Sequence, residues 1–333
     1  MIFNIEFDKR ALIAGGLALA SLGVLVMMPE LLGEQVGNAL AGLAAASPVW
    51  LWFAGAFFLA LIASTGCAWR AGVQACGGQV GVFDAAARYG AGSLVNAIAP
   101  AGCGGAVRIA FFSRTLPSRD RIWTATGVAT AIGLARAPAL ALLVVAASLT
   151  AGFPLWPVLL LAGGITAAVL VVLFSRRRTP HARVAHVLDV FRALGRSPRA
   201  GCKLVAWSTL AVASKVLAAG AVAAALGVDA PLQAAVTMVP ALALAGAVPL
   251  TPGNIGVGSG AIAIALHMVG VDGTTAISAG IAFQAVETAV SMLAGSAGLL
   301  YLARLPVPAW TLRVAGAGAC LALAGGFSAT VLV

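Results

Sequence analysis

Charge is scarce in this chain. Only 9% of its 333 residues are charged, ten of them acidic, where soluble domains carry about 25%. So few charges cannot cover a folded surface with solvated groups, which excludes a soluble enzyme, a disordered tail and a disulfide-stapled secreted module. No polar stretch is long enough to be an attached water-soluble domain. Cysteine is also sparse. Cys67, Cys76, Cys103, Cys202 and Cys320 are scattered and odd in number, with no CxxC, so neither a disulfide frame nor a zinc site is expected. His181, His186 and His267 are the only histidines, and no acid pair lies at helical spacing in an apolar run. An intramembrane enzyme would lack its base or metal set, and no catalytic residue, metal or cofactor is expected. His181 and His186 read as solvated members of a basic segment, and His267 as an interfacial histidine.

Apolar residues are plentiful: 61% of the chain is hydrophobic, with a mean hydropathy of +1.04. A spanning helix needs about 20 apolar residues. Seven full candidates are present, at 11–28, 50–68, 122–148, 155–174, 204–226, 275–300 and 310–332. The run at 11–28 follows a charged N-terminus with no prompt small-residue cleavage site, and it reads as an uncleaved span rather than a signal peptide. Two further apolar stretches, 90–112 and 232–268, are interrupted by proline and glycine.

The twenty Lys and Arg against ten acids would suggest nucleic acid in a soluble protein. Here position decides, because cytoplasmic loops collect Lys and Arg, and no nucleic-acid partner is expected. With the N-terminus inside, the cytoplasmic side receives Lys9, Arg10, Arg70, Arg88, Arg114, Arg119, Arg121, Arg304, Arg313 and the basic segment 176–203. The outer loops then hold Glu30, Glu34, Asp229 and Asp272 without any Lys or Arg. This separation requires 90–112 to enter and leave on the inner side. It likewise makes 232–268 a hairpin entering from outside. The C-terminus falls outside, in an integral plasma-membrane protein.

Within 176–203, Val184, Val187, Leu188, Phe191 and Leu194 recur at helical spacing among Arg183, Arg192, Arg196 and Arg199. Two readings stand: an amphipathic helix on the anionic cytoplasmic leaflet, or a positive-inside loop with no binding role.

The order span, hairpin, span, span occurs twice at an offset of about 152 residues, starting from opposite sides. The expected fold class is therefore an all-α polytopic membrane protein: about seven spanning helices plus two re-entrant broken-helix hairpins in an inverted-topology repeat. It forms one transmembrane domain, 1–333. Residues 1–49 are an extra helix and outer loop, 50–175 the first repeat, 176–203 the basic connector and 204–333 the second repeat. Broken helices meeting at the midplane are a transporter plan.

The first break carries Asn96, Pro100, Gly102, Gly104, Gly105 and Arg108. A helix restarting after Gly105 would present free N–H groups and a positive dipole end beside Arg108. It is either an anion site for a phosphate-bearing headgroup or a small-residue packing seam. The second break carries Pro249, Thr251, Pro252, Gly253, Asn254, Gly256, Gly258, Ser259 and Gly260. Two prolines three residues apart cannot continue one regular helix. Thr251, Asn254 and Ser259 offer neutral hydrogen-bonding groups at its tip.

Arg136, Lys215 and Glu287 lie mid-span, too far from either end to snorkel. A central charge costs about 2.5–3.5 kcal/mol on insertion scales. Arg136 and Glu287 occupy equivalent helices, 151 residues apart, which suggests a midplane Arg136–Glu287 pair with Lys215 and Arg108 as surplus positive charge. That surplus favours an anionic substrate. Glu287 is also the one candidate for a proton carrier.

The pattern formed by Asn96, Pro100, Gly104 and Arg108, with Pro249, Thr251, Pro252, Gly253, Ile255, Gly256 and Val257, resembles the lysylphosphatidylglycerol synthase transmembrane region family. Its members are also called flippase-like domain proteins, and the resemblance covers about 11–332. It implies an integral membrane protein that moves lipids or lipid-linked molecules, phospholipid or polyprenyl-linked, between leaflets. In the aminoacyl-lipid members this region is the flippase half and a separate soluble domain makes the lipid. No such domain is read in this sequence, so no aminoacyl transfer is implied. Gly105 and Ser259 stand where the family often has an acid, which fits an anionic or neutral substrate. The expected substrate-binding set is Asn96, Pro100, Gly104, Arg108, Arg136, Lys215, Thr251, Pro252, Gly253, Asn254, Gly256 and Glu287. A small-solute exporter or channel, and a non-transporting partner of a lipid-modifying enzyme, are the alternatives.

Overall fold

A computed structural model describes residues 45–98, 103–117, 120–152, 182–246 and 256–303, together with Gly42 and Gly163. These residues form nine helices and no strands. They are α1 Pro48–Ala75, α2 Val82–Ile98, α3 Cys103–Ser113, α4 Arg121–Ala151, α5 Ala182–Arg196, α6 Pro198–Ala225, α7 Pro231–Gly246, α8 Val257–Met268 and α9 Gly273–Leu302.

Local signals set the helix ends. Pro48 and Pro198 open α1 and α6, where a proline loses nothing because the first N–H groups have no partner. Asp272 caps α9 by accepting from the amides of Thr274 and Thr275 at 2.9 and 3.3 Å. Gly152 closes α4 at φ +64°, a conformation that costs glycine nothing. Pro138 in α4 and Pro240 in α7 sit within continuous helix, as apolar membrane helices tolerate.

Four helices are long and apolar enough to cross a membrane: Pro48–Ala75, Arg121–Thr150, Pro198–Ala225 and Gly273–Leu302. They correspond to the expected spans 50–68, 122–148, 204–226 and 275–300, and most run several residues further. The extra turns are polar, so an apolar-run criterion misses them. In one, the Arg70 Nε donates to the Val80 carbonyl at 3.1 Å. The expected spans 11–28, 155–174 and 310–332 lie outside the described residues.

Both interrupted stretches form pairs of antiparallel helices. In the first, the Arg88 Nη1 donates to the Phe111 carbonyl at 2.6 Å, and Arg108 Nη2 donates to Ser93 Oγ at 3.0 Å, so α2 and α3 run back along one another. In the second, Gly258 of α8 faces Leu242 of α7, while Asp229 and Ala234 share a pocket with Val269 and Asp272 at the opposite end. The tips, 99–102 and 247–255, lie outside the described residues. The first restart differs from expectation. The helix resumes at Cys103, so Gly104 and Gly105 are helical rather than part of the turn. Gly104 has a packing reason to be glycine: a Cβ there would run into the Gly92 carbonyl and the Asn96 Cβ.

The packing has an exchange pattern. The first long helices, α1 and α6, pack on each other along their length, antiparallel, with Ser47 N donating to the Ala225 carbonyl at 2.8 Å. Around this axis α2 packs on α9 as α7 packs on α4, and α1 touches α9 as α6 touches α4. Each hairpin also packs on the long helix after it, α3 on α4 and α8 on α9. The core between them holds Phe58, Phe283, Trp69, Phe112 and Met238, with Trp69 and Phe112 stacked at 4.4 Å.

The connector helix α5 exists, and its apolar face turns inward. Leu188 and Val190 are buried, and α5 packs on α4, where a Cβ on Gly127 would meet Val190 Cγ2 at 2.7 Å. His186 Nε2 lies 2.9 Å from Asp120 Oδ2 at the start of α4, so this histidine is paired rather than merely solvated. The apolar stripe is spent on the bundle, leaving Arg192, Arg196 and Arg199 exposed.

Candidate functional site

A string of polar side chains crosses the apolar bundle between α1, α2, α3 and α4. Tyr89 of α2 is its centre and is 7% exposed. The guanidinium of Arg108 lies over its ring, 4.3 Å from the centroid. Its hydroxyl faces Thr65 of α1 and Arg136 of α4, and Arg136 Nη2 donates to Thr65 Oγ1 at 2.7 Å. Ser93, one turn along from Tyr89, accepts from Arg108 Nη2 and donates to the Tyr89 carbonyl at 3.2 Å. Two cations therefore bracket one phenol, and among the described residues no carboxylate lies within 4.0 Å of either. The Nε atoms of Arg108 and Arg136 are buried and have no hydrogen-bond partner among the described residues.

The bundle's central acid is committed elsewhere. Lys215 Nζ of α6 lies 3.6 Å from Glu287 Oε1 of α9 and 5.8 Å from the ring centroid of Phe283. The expected Arg136–Glu287 pair is thus not the one formed. α4 makes its main contacts with α5, α7, α6 and α3, whereas α9 packs on α2, α8, α1 and α6. Glu287 consequently meets a cation from α6, and the surplus positive charge falls on Arg108 and Arg136 instead of Arg108 and Lys215.

The two groups sit at different depths. Thr65 is 18 residues along α1 from Ser47, and Lys215 is 10 residues back along α6 from Ala225, the carbonyl that Ser47 meets. The eight-residue difference corresponds to about 12 Å of helix. Sequence numbers relate the groups as well: Lys215 follows Thr65 by 150 residues, and Glu287 follows Arg136 by 151.

The remaining expected residues fall as follows. Asn96 lies on α2 against Gly104 of α3, where the two helices of the first hairpin meet nearest its tip. Gly256 starts α8 at φ +90°, a conformation that disfavours any side chain. Gly258 and Gly280 bring α8 against α9, since a Cβ on Gly258 would collide with the Gln284 amide and one on Gly280 with the Ser259 backbone. Pro100, Thr251, Pro252, Gly253 and Asn254 lie outside the described residues. Thr65, Tyr89 and Ser93 were not anticipated. A signal for Tyr89 existed, since it is one of two tyrosines in the chain and stands in an apolar helix four residues before Ser93. Among the described residues no group of three or more His, Cys, Asp or Glu gathers that could hold a metal ion.

The family model for the lysylphosphatidylglycerol synthase TM region matches residues 13–295. The chain belongs to this family. The match spans α1 to most of α9, so every residue of both polar groups lies within it. No curated protein matches the chain.

Proposed function

We propose that the protein is a transporter, not an enzyme. It moves an amphiphile with an anionic headgroup, phospholipid or polyprenyl-linked, between leaflets past a site framed by its two helical hairpins. The observation that carries this reading is the pair Arg108 and Arg136, mid-bundle and, among the described residues, without a carboxylate partner. Uncompensated charge at membrane depth is expensive and marks a functional path. Family membership agrees with this.

The exchange pattern of the packing supports an inverted-topology repeat. Swapping α1–α4 for α6–α9 maps the contact of α2 with α9 onto that of α7 with α4, and Thr65–Arg136 onto Lys215–Glu287. In that arrangement each hairpin is re-entrant, and the rungs at Arg136 and Lys215 lie on opposite sides of the midplane. The basic end, with Arg88, Arg114, Arg121 and the exposed arginines of α5, faces the cytoplasm of a plasma-membrane protein. Those α5 arginines meet the anionic leaflet, while Asp229 and Asp272 face outward.

Leaflet exchange of fluorescent phospholipids in proteoliposomes tests the reading. The wild type should accelerate exchange, and Arg136→Ala and Glu287→Gln should each slow it. Absence of protein-dependent exchange with every headgroup, from folded protein, would overturn it.

A further inference from the structure

Resting on the transport reading, we infer that Arg108, Tyr89 and Arg136 form a clamp for a phosphate group, with Ser93 and Thr65 as its hydroxyl supports. Tyr89 is the spacer. Its ring face takes one guanidinium and its hydroxyl edge the other, which holds two cations apart without an acid between them. Each arginine spends one terminal nitrogen on a hydroxyl, Arg108 on Ser93 and Arg136 on Thr65. Among the described residues, their Nε–H groups are left buried and unpaired. A buried donor without a partner is costly, and more so when charged. The two arginines that carry these donors both contact Tyr89, and they mark a place where acceptor oxygens from outside the chain complete the bonding.

The donor count favours phosphate over carboxylate. A guanidinium pairs with a carboxylate or phosphate through two parallel N–H···O bonds. Two guanidiniums and a phenol offer more donors than the two oxygens of a carboxylate can face from opposite sides. A tetrahedral phosphate presents oxygens in several directions and can accept from both guanidiniums beside Tyr89. The group occurs in the headgroup of a phospholipid and in inorganic phosphate alike. Glu287 does not compete for the clamp, because it faces Lys215. No described carboxylate has to be displaced for a phosphate to enter.

Thermal unfolding of the purified full-length chain in a non-ionic detergent tests the clamp. Inorganic phosphate and a short-chain phosphodiester lipid are titrated separately, against chloride and a carboxylate amphiphile at equal ionic strength. The phosphodiester lipid should raise the midpoint in a concentration-dependent way, since a ligand that binds only the folded state stabilises it. Inorganic phosphate raising it as well would locate recognition in the phosphate alone; lipid acting without it would add the chains. Arg108→Gln and Arg136→Gln should each weaken the apparent affinity about tenfold or more, while Arg114→Gln, exposed just past α3, should leave it unchanged. An equal rise with the carboxylate amphiphile would overturn the assignment, as would a rise untouched by either substitution in folded protein or no rise with either phosphate ligand. Exchange without phosphate binding removes the clamp and leaves the transporter, whereas phosphate binding without exchange does the reverse.

Discussion

Lys215 and Glu287 meet at 3.6 Å across α6 and α9, at the position that exchanging α1–α4 for α6–α9 equates with Thr65 and Arg136 across α1 and α4. One half of the bundle closes this contact with a neutral hydroxyl on a cation, the other with an ion pair. The first contact therefore keeps a positive charge and the second is neutral. An anion entering the bundle would find attraction at one depth and a self-satisfied pair about 12 Å away along the helices.

That pair should behave as a coupled unit. Lys215→Met alone strands Glu287 and Glu287→Leu alone strands Lys215, whereas the double substitution removes both charges. Breaking a buried pair costs about 3–5 kcal/mol. Each side chain here remains 30% accessible, so about 1–3 kcal/mol is expected for each single change after allowing for screening. The double variant should recover most of the loss. A thermal-unfolding mutant cycle in detergent measures the coupling, and simple additivity of the two losses would contradict the pairing.

Tyr89 serves Arg108 with its face and Arg136 with its hydroxyl, so its substitutions should separate the two contacts. Tyr89→Phe keeps the ring under Arg108 and loses the hydroxyl, at an expected cost of about 0.5–1.5 kcal/mol. Tyr89→Leu loses the ring too, adding about 0.5–2 kcal/mol for the cation–π contact. In the liposome assay, Tyr89→Phe should slow exchange modestly and Tyr89→Leu strongly. Equal effects in both assays would show that the ring over Arg108 contributes nothing.

Much of this arrangement was legible in the sequence, because the relevant signals are local. Apolar length located the described spans, and the proline–glycine interruption within 90–112 marked a break between two shorter helices, α2 and α3. The charge at Arg108, Arg136, Lys215 and Glu287 identified positions that needed a reason. Partner choice was not legible. Arg136 and Glu287 are matched by their 151-residue spacing, yet which cation reaches Glu287 depends on which helices touch, and α9 lies against α6. Likewise the periodicity of α5 revealed an apolar stripe but not whether lipid or α4 would cover it. Gly104 looked like turn chemistry and is packing chemistry, a distinction set by the approach of α2 rather than by its neighbours in sequence.

Burial holds the thiol of Cys76, at the end of α1, above its usual value of 9.0, at about 11. The folded chain thus keeps this proton to higher pH than the unfolded chain. The associated stability is constant below about pH 9 and is lost as pH rises from 9.0 toward about 11. Maleimide labelling reads the same effect. At about pH 8, a variant retaining only Cys76 should react roughly a hundredfold more slowly than one retaining only the exposed Cys202. Equal rates would mean that Cys76 is not buried.

The seam between α2 and α9 should tolerate no side chain. A Cβ on Gly298 would stand 2.6 Å from the Ala87 carbonyl, and one on Gly295 would stand 2.6 Å from the Gly90 carbonyl and run into Leu94. Both obstacles on this face are backbone atoms of a packed helix, so the helices themselves must separate. Gly133 of α4 meets nothing within 4 Å. The same substitution should then have opposite signs at the two kinds of site. Gly298→Ala should destabilise by about 1–3 kcal/mol through overpacking, while Gly133→Ala should stabilise by about 0.5–1 kcal/mol through helix propensity. Because α2 carries Tyr89 and Ser93, Gly298→Ala should also slow leaflet exchange even where the protein stays folded. Thermal unfolding and exchange measured on both variants check this together, and a neutral Gly298→Ala would show that α2 and α9 are not in backbone contact.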